Sequence, residues 1–158
     1  MSKISQSFGI NSSKLRTRQF EINGQKFNVR IPLATEAEEM YKKCENPDEQ
    51  AIEAKYKEIT KTLYEKKEEL QGLDSGIEFK DNDIVVGESS MRQMAKSQIS
   101  TEIRILESFK LLVPVDNTDL SNLTYEEINE EFPLPIQLVV VKKIAEVISP
   151  NYEETRKN

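Results

Sequence analysis

The sequence predicts an α+β protein that is mainly helical, forms a single domain and begins with a β-hairpin. Alternating apolar residues near the N-terminus indicate the hairpin, and longer stretches with apolar residues at helical spacing indicate the helices. A chain of 158 residues with 37 % hydrophobic residues is long enough for the core of one domain and too short for two large ones. A large multidomain enzyme is therefore excluded.

The hairpin is predicted over residues 17–31. Apolar and polar residues alternate on both sides of Asn23-Gly24, so the apolar side chains of each strand fall on one face. Asn-Gly also supplies the two positive-φ residues that a type I′ turn requires, and Pro32 ends the second strand. The alternating apolar residues are Phe20, Ile22, Phe27, Val29 and Ile31.

Both ends of the chain are polar. Residues 1–16 are rich in Ser, Lys and Asn, and such a segment buries too little surface to offset the entropy of ordering it. We therefore expect a flexible arm over residues 1–16, the single domain over residues 17–150, and a polar tail over residues 151–158.

Helix-capping signals open the helical body, which is expected over residues 36–149. Thr35 and Glu38 have the spacing of a capping box, in which each side chain accepts a hydrogen bond from an otherwise unpaired backbone N–H group. Asn46-Pro47 predicts the start of a longer helix, because Asn can cap a helix and proline suits its first turn.

The second half of the chain continues with mixed signals. Residues 77–86 fit either a small hairpin or a structured loop. A third helix is predicted over about residues 90–112, where the apolar residues form one stripe. Thr124 and Glu127 repeat the capping-box spacing and predict a short helix that ends before Pro133.

The last helix is predicted over about residues 134–149. Its apolar residues cover an arc of about 200°, which is wider than the roughly 100° stripe of an ordinary surface helix. Either the helix packs on two sides inside its own domain, or it shares its second face with another chain. Under the second alternative, the candidate partner-binding residues are Phe132, Leu134, Ile136, Val140, Ile144 and Val147.

Composition argues against most catalytic chemistry. The chain has no His, which removes the usual neutral-pH proton carrier and the commonest metal ligand, and it has no glycine-rich phosphate loop. Its net charge of −6 disfavours nucleic acid as a partner. We expect no enzymatic activity, no metal and no cofactor.

Localisation follows from the remaining composition. The lone Cys44 cannot form an intramolecular disulfide, which is typical of a reducing cytoplasm. The longest aliphatic run, Leu138 to Val141, is far shorter than the roughly 20 residues that cross a bilayer. We expect a cytoplasmic protein with no membrane association.

Three polar clusters suggest chemistry and are better explained structurally. The segment 81–88 superficially resembles a calcium loop, but valine occupies the fifth and sixth positions, where a ligand and Gly are required. The acids of 126–131 fit the solvated face of a short helix, since no His or second cluster accompanies them. Gln98 and Glu102 interrupt an apolar stripe, which indicates an edge position or an ion pair, or else a buried polar contact that specifies a partner.

The order of the motifs resembles the tail assembly chaperones of long-tailed bacteriophages. The hairpin sequence Phe20-Glu-Ile-Asn-Gly-Gln-Lys-Phe-Asn-Val-Arg-Ile31 leads into a helical body. The chain then closes with Leu123-Thr-Tyr-Glu-Glu-Ile and with Glu130-Glu-Phe-Pro-Leu-Pro-Ile136. The resemblance covers roughly residues 18–155 and contains no catalytic signature.

The resemblance implies a small, acidic, non-enzymatic protein of a phage or prophage that acts in the host cytoplasm. Members of the family bind the long, aggregation-prone tape measure protein during tail assembly, and other tail proteins are further candidate partners. In this family some ribosomes slip backward near the stop codon, and Arg156-Lys157-Asn158 permits a slippery heptamer in the gene. Self-association stays open, as does a second function: a small acidic adaptor that binds and modulates another protein.

Overall fold

The computed structural model describes residues 3–149, and the chain is a mixed α+β, mainly helical protein. It is 58 % helical, with a two-stranded antiparallel hairpin near the N-terminus and a second small sheet. The predicted class is therefore confirmed, whereas the predicted polar tail lies outside the described residues. None of the helices between residues 3 and 149 is long and apolar enough to cross a membrane.

Eight helices and five strands follow one another within residues 3–149. The helices are α1 Lys3–Phe8, α2 Ser12–Leu15, α3 Ala34–Glu45, α4 Glu49–Glu65, α5 Lys67–Gln71, α6 Met91–Phe109, α7 Tyr125–Glu131 and α8 Leu134–Ile148. The strands are β1 Thr17–Ile22, β2 Gln25–Arg30, β3 Ile77–Phe79, β4 Ile84–Val86 and β5 Ser89–Ser90. Contacts among these elements cluster in two compact units, one formed by residues 3–40 and 104–149 and the other by Tyr41–Ile103.

The hairpin of the first unit forms as the alternation predicts. Strands β1 and β2 pair antiparallel with Ile22 opposite Gln25. The two turn residues have positive φ, 51° at Asn23 and 79° at Gly24, as a type I′ turn requires. The rings of Phe20 and Phe27 stack across the ladder with their centroids 5.2 Å apart, so the turn and the cross-strand pair fix the same register.

The core of the first unit joins the hairpin to the later helices. Strand β2 is paired on its other side by the chain after α6, where Arg30 N donates to Leu111 O at 2.8 Å and Val113 N donates to Asn28 O at 2.8 Å. Helix α8 packs against β1. The buried residues of this core are Phe20, Val29, Ile105, Phe109, Leu111, Ile128, Val140 and Ile144.

An ion pair fixes the start of α3 in the first unit. The guanidinium of Arg30 donates two hydrogen bonds of 2.6 Å to the two carboxylate oxygens of Glu36. This hydrogen bonding lowers the pKa of Glu36 and outweighs the opposite effect of burial. The helix already begins at Ala34, with Ala37 N bonded to Leu33 O. Thr35 therefore lies inside the helix, and its predicted role as a cap was wrong.

The second unit packs α4 and α6 with the small sheet. Its buried residues are Ile52, Tyr56, Ile84, Met91 and Ala95. Asp48 caps α4 by accepting from Ala51 N, so the cap lies two residues later than the Asn46 cap that the sequence suggested. The segment 77–86, which fitted a hairpin or a loop, is the antiparallel pair β3 and β4.

Short helices occupy part of the segment predicted as a flexible arm. Helix α2 is capped by Asn11, whose side-chain oxygen accepts from Ser13 N and Lys14 N. Side-chain capping of this kind satisfies the backbone locally and needs no apolar core. Consistent with that, Ile4 and Phe8 of α1 remain 69 % and 73 % exposed.

Candidate protein-binding surface

The junction between α7 and α8 positions the predicted binding residues. Helix α7 begins with the predicted capping box, in which Glu127 N donates to Thr124 Oγ1 and Thr124 N donates to the Glu127 carboxylate. The turn that follows is held by Gln137, whose Nε2 donates to Phe132 O at 2.6 Å and to Asn129 Oδ1 at 3.2 Å. Gln137 is fully buried. Its two hydrogen bonds, made in the protein interior, therefore fix the direction in which α8 leaves the turn.

One face of α8 belongs to the core of the first unit. Val140 is 1 % exposed and Ile144 is 2 % exposed, and both lie in the same buried cluster as Phe20. Val147 is partly buried against that cluster. Of the predicted binding residues, Val140 and Ile144 are therefore core residues, and a partner cannot reach them without unfolding.

The N-terminal half of α8 also exposes apolar side chains outside the core, whereas Lys142 and Glu146 are exposed further along the helix. Leu134, Ile136, Leu138 and Val139 keep between 37 % and 48 % of their surface accessible. Two of these, Leu134 and Ile136, are among the predicted binding residues. The wide apolar arc of the sequence thus divides into a core side and an exposed side. We call the four exposed residues the α8 apolar face.

A groove of about 590 Å³ opens in the first unit beside Phe132. Its apolar lining comes from β2, the end of α6, the following loop and α7. The ring of Phe132 lies edge to face against Phe109, with centroids 5.6 Å apart. The apolar lining residues are Phe27, Phe109, Leu112, Val113, Pro114, Val115, Leu120, Leu123, Ile128 and Phe132.

The charged lining of this groove is mainly acidic. Three carboxylates of α7, from Glu127, Glu130 and Glu131, lie on its border, and Lys26 of β2 is the lysine that also lines it. The three glutamates are exposed, as expected for a solvated helix face. Their arrangement along an apolar groove is a feature that sequence reasoning missed.

The groove was missed because its lining is dispersed in the sequence. The apolar residues of 112–123 show no helical or alternating period and read as an ordinary loop. Val115 carries a signal that could have been noticed, since it is a β-branched apolar residue in a polar loop and proves 96 % exposed. Only the fold brings this loop next to Phe27 and the acids of α7.

The candidate calcium loop is a structural turn in the second unit. Ser90 Oγ donates to the carboxylate of Asp83, which also accepts from Ile84 N at 2.8 Å and from Arg92 N at 3.0 Å. Burial acts to raise the pKa of Asp83, but these hydrogen bonds outweigh it and hold the pKa below its usual value. The side chain is fully used in joining β4 to the start of α6.

Of the polar pair within the apolar stripe of α6, Glu102 forms an ion pair with α4. Glu102 Oε1 lies 3.3 Å from Lys55 Nζ, which is also 3.1 Å from Glu58 Oε2. Gln98 is exposed. The interpretation as an edge position or an ion pair is therefore confirmed. No group of three or more metal-ligating side chains occurs within residues 3–149.

Comparison with known proteins gave no relative. No protein-family model, no curated protein and no solved structure matches the chain.

Proposed function

We propose that this protein is a tail assembly chaperone of a bacteriophage or prophage, which binds the tape measure protein and keeps it soluble in the host cytoplasm. The observation that carries a binding function is the α8 apolar face. Its large aliphatic side chains are 37–48 % exposed in a chain of which 32 % of the residues are charged. Clustered exposed apolar side chains on a soluble protein are typical of interaction sites.

The choice of client rests on the motif order of the sequence. The hairpin motif and the motifs around α7 and α8 are those that resemble the tail assembly chaperones. They form one unit here, since the hairpin, α7 and α8 share a buried core. A chaperone for a long helical client needs a surface that reads apolar helix faces without requiring one sequence. The net charge of −6 would keep the complex in solution.

Co-expression tests this proposal. The chain is produced together with a candidate tape measure protein, encoded by the long reading frame that the proposal places next to its gene, and the soluble fraction of that protein is measured with and without the chain. We expect the long protein to be soluble and to co-purify only when the chain is present.

The result also separates the proposed function from the alternative adaptor. A regulatory adaptor binds a folded protein and changes its activity, but it does not determine whether that protein stays soluble. A long protein that aggregates equally with and without the chain would refute the chaperone function.

A further inference from the structure

We propose that the groove beside Phe132 binds a specific client segment: an amphipathic helix whose apolar side chains are flanked by lysine or arginine. The inference rests on the proposed function for the identity of the client.

The apolar lining of the groove indicates that the ligand has apolar side chains. Aromatic and aliphatic side chains from β2, the loop after α6 and α7 converge on a space of about 590 Å³. Apolar grooves of this kind accept the side chains of a helix at positions i, i+3, i+4 and i+7. Val115 is 96 % exposed at the border of the groove, so a ligand that covers it would remove its apolar side chain from water, which is favourable.

The acidic border of the groove indicates the charge of the ligand. Glu130 and Glu131 line the groove, and neither forms an ion pair within the part of the chain that the structure describes. Glu127 adds a third carboxylate, against the single ammonium of Lys26. Complementary charge at the border of an apolar interface speeds encounter and rejects partners of like charge. The favoured ligand is therefore basic as well as apolar.

Two synthetic peptides test the chemistry of the ligand with the full chain. Each has about 18 residues, enough to form a helix, and the same leucine spacing. One carries lysine on its polar face and the other carries glutamate. We expect the lysine peptide to bind at least about tenfold more tightly, and to weaken as salt is added, because exposed charges are screened.

Charge-reversed variants locate the site. Glu130→Lys with Glu131→Lys should reduce the affinity for the lysine peptide by about tenfold or more. The matched control, Glu39→Lys with Glu126→Lys, makes the same change in net charge at exposed residues that do not line the groove. This control should bind the lysine peptide nearly as wild type does, which separates the groove from general attraction to an acidic protein.

An apolar pair of variants completes the test. Val115→Asn removes the apolar contact without adding charge, and it should weaken binding of the lysine peptide without unfolding, since the side chain is already 96 % exposed. Leu73→Asn makes the matching neutral change at an apolar residue that is 60 % exposed and lies outside the groove. It should leave the affinity unchanged. Circular dichroism of each variant checks that its helix content is intact.

Equal binding of both peptides, or equal weakening by the groove variants and their controls, would overturn the inference. So would a groove that is occupied by a second copy, seen as a dimer that Val115→Asn dissociates and that excludes the peptide. Co-expression keeps the two proposals apart. If the groove variants still hold the tape measure protein in solution, the groove assignment fails and the chaperone function stands. If wild type does not hold it, the chaperone function fails, and the peptides still decide the groove.

Discussion

Gln137 shows how one buried polar side chain positions a surface. It lies in the first turn of the most apolar helix, where an aliphatic residue would be expected, and donates to Phe132 O and Asn129 Oδ1. Its Oε1 atom is buried and has no hydrogen-bond partner among the described residues. Specifying the α7–α8 turn therefore carries an energetic cost, since an unpaired buried oxygen is unfavourable.

Replacing Gln137 by Met should lower the free energy of unfolding by about 1 kcal/mol. The Phe132 carbonyl loses the hydrogen bond from Gln137, while removal of the unpaired buried oxygen offsets part of this loss of stability. Urea denaturation followed by circular dichroism measures the change. Gln98→Met is the control, because Gln98 is exposed and should change stability by less than about 0.5 kcal/mol. Equal midpoints for the two variants would contradict the role assigned to Gln137.

Asp83 makes the stability of the second unit sensitive to acid. Its folded pKa is lower than the ordinary 3.8, so the carboxylate stabilises the fold above that pH. The contribution is lost as the pH falls through the folded pKa. Asp83→Asn should therefore be less stable at pH 7 by about 1 kcal/mol and lose less stability than wild type below about pH 4. Thermal melts across pH measure both. Asp81→Asn, an exposed neighbour, should follow the wild-type profile, and parallel profiles for wild type and Asp83→Asn would refute the argument.

At the scale of elements, local signals predicted what local interactions decide. The Asn23-Gly24 turn and the Thr124–Glu127 capping box are satisfied within a few residues, and both were predicted correctly. The predicted start of α3 was wrong because Glu36, in the first turn of the helix, forms an ion pair with Arg30. Arg30 belongs to another element, strand β2. The groove was missed for the same reason, because its walls meet only in the fold.

The hairpin turn offers a direct test of an element. Gly24 has φ +79°, where a β-carbon is strained, so Gly24→Ala should destabilise the protein by about 1–2 kcal/mol. Gly72 has φ −77°, and an added Cβ would meet Glu69 O at an ordinary 3.6 Å. Gly72→Ala should be neutral or slightly stabilising. The free energies of unfolding check both, and a Gly24→Ala protein as stable as Gly72→Ala would show that the turn does not need its positive φ.

At the scale of the whole molecule, folding and partner binding both depend on apolar side chains. Sequence alone ranked Val140 and Leu138 together as apolar positions of one broad arc. The structure separates them, since Val140 is 1 % exposed within a core and Leu138 is 40 % exposed. The six residues predicted to bind a partner therefore divide into those that hold the helix in place and those that a partner can reach.

Aspartate substitutions along α8 test this division. Val140→Asp and Ile144→Asp should unfold the first unit, because an unpaired charge in a core costs several kcal/mol. Leu138→Asp and Val139→Asp should keep the wild-type helix content and melting temperature, since both side chains already contact solvent. The same two variants should nevertheless fail to co-purify with the tape measure protein, because a charge on the α8 apolar face would have to be buried in the complex. Circular dichroism and co-expression measure the two properties independently. If Leu138→Asp and Val139→Asp fold and still retain the client, the α8 apolar face is not the contact surface, and binding must then depend on other parts of the protein.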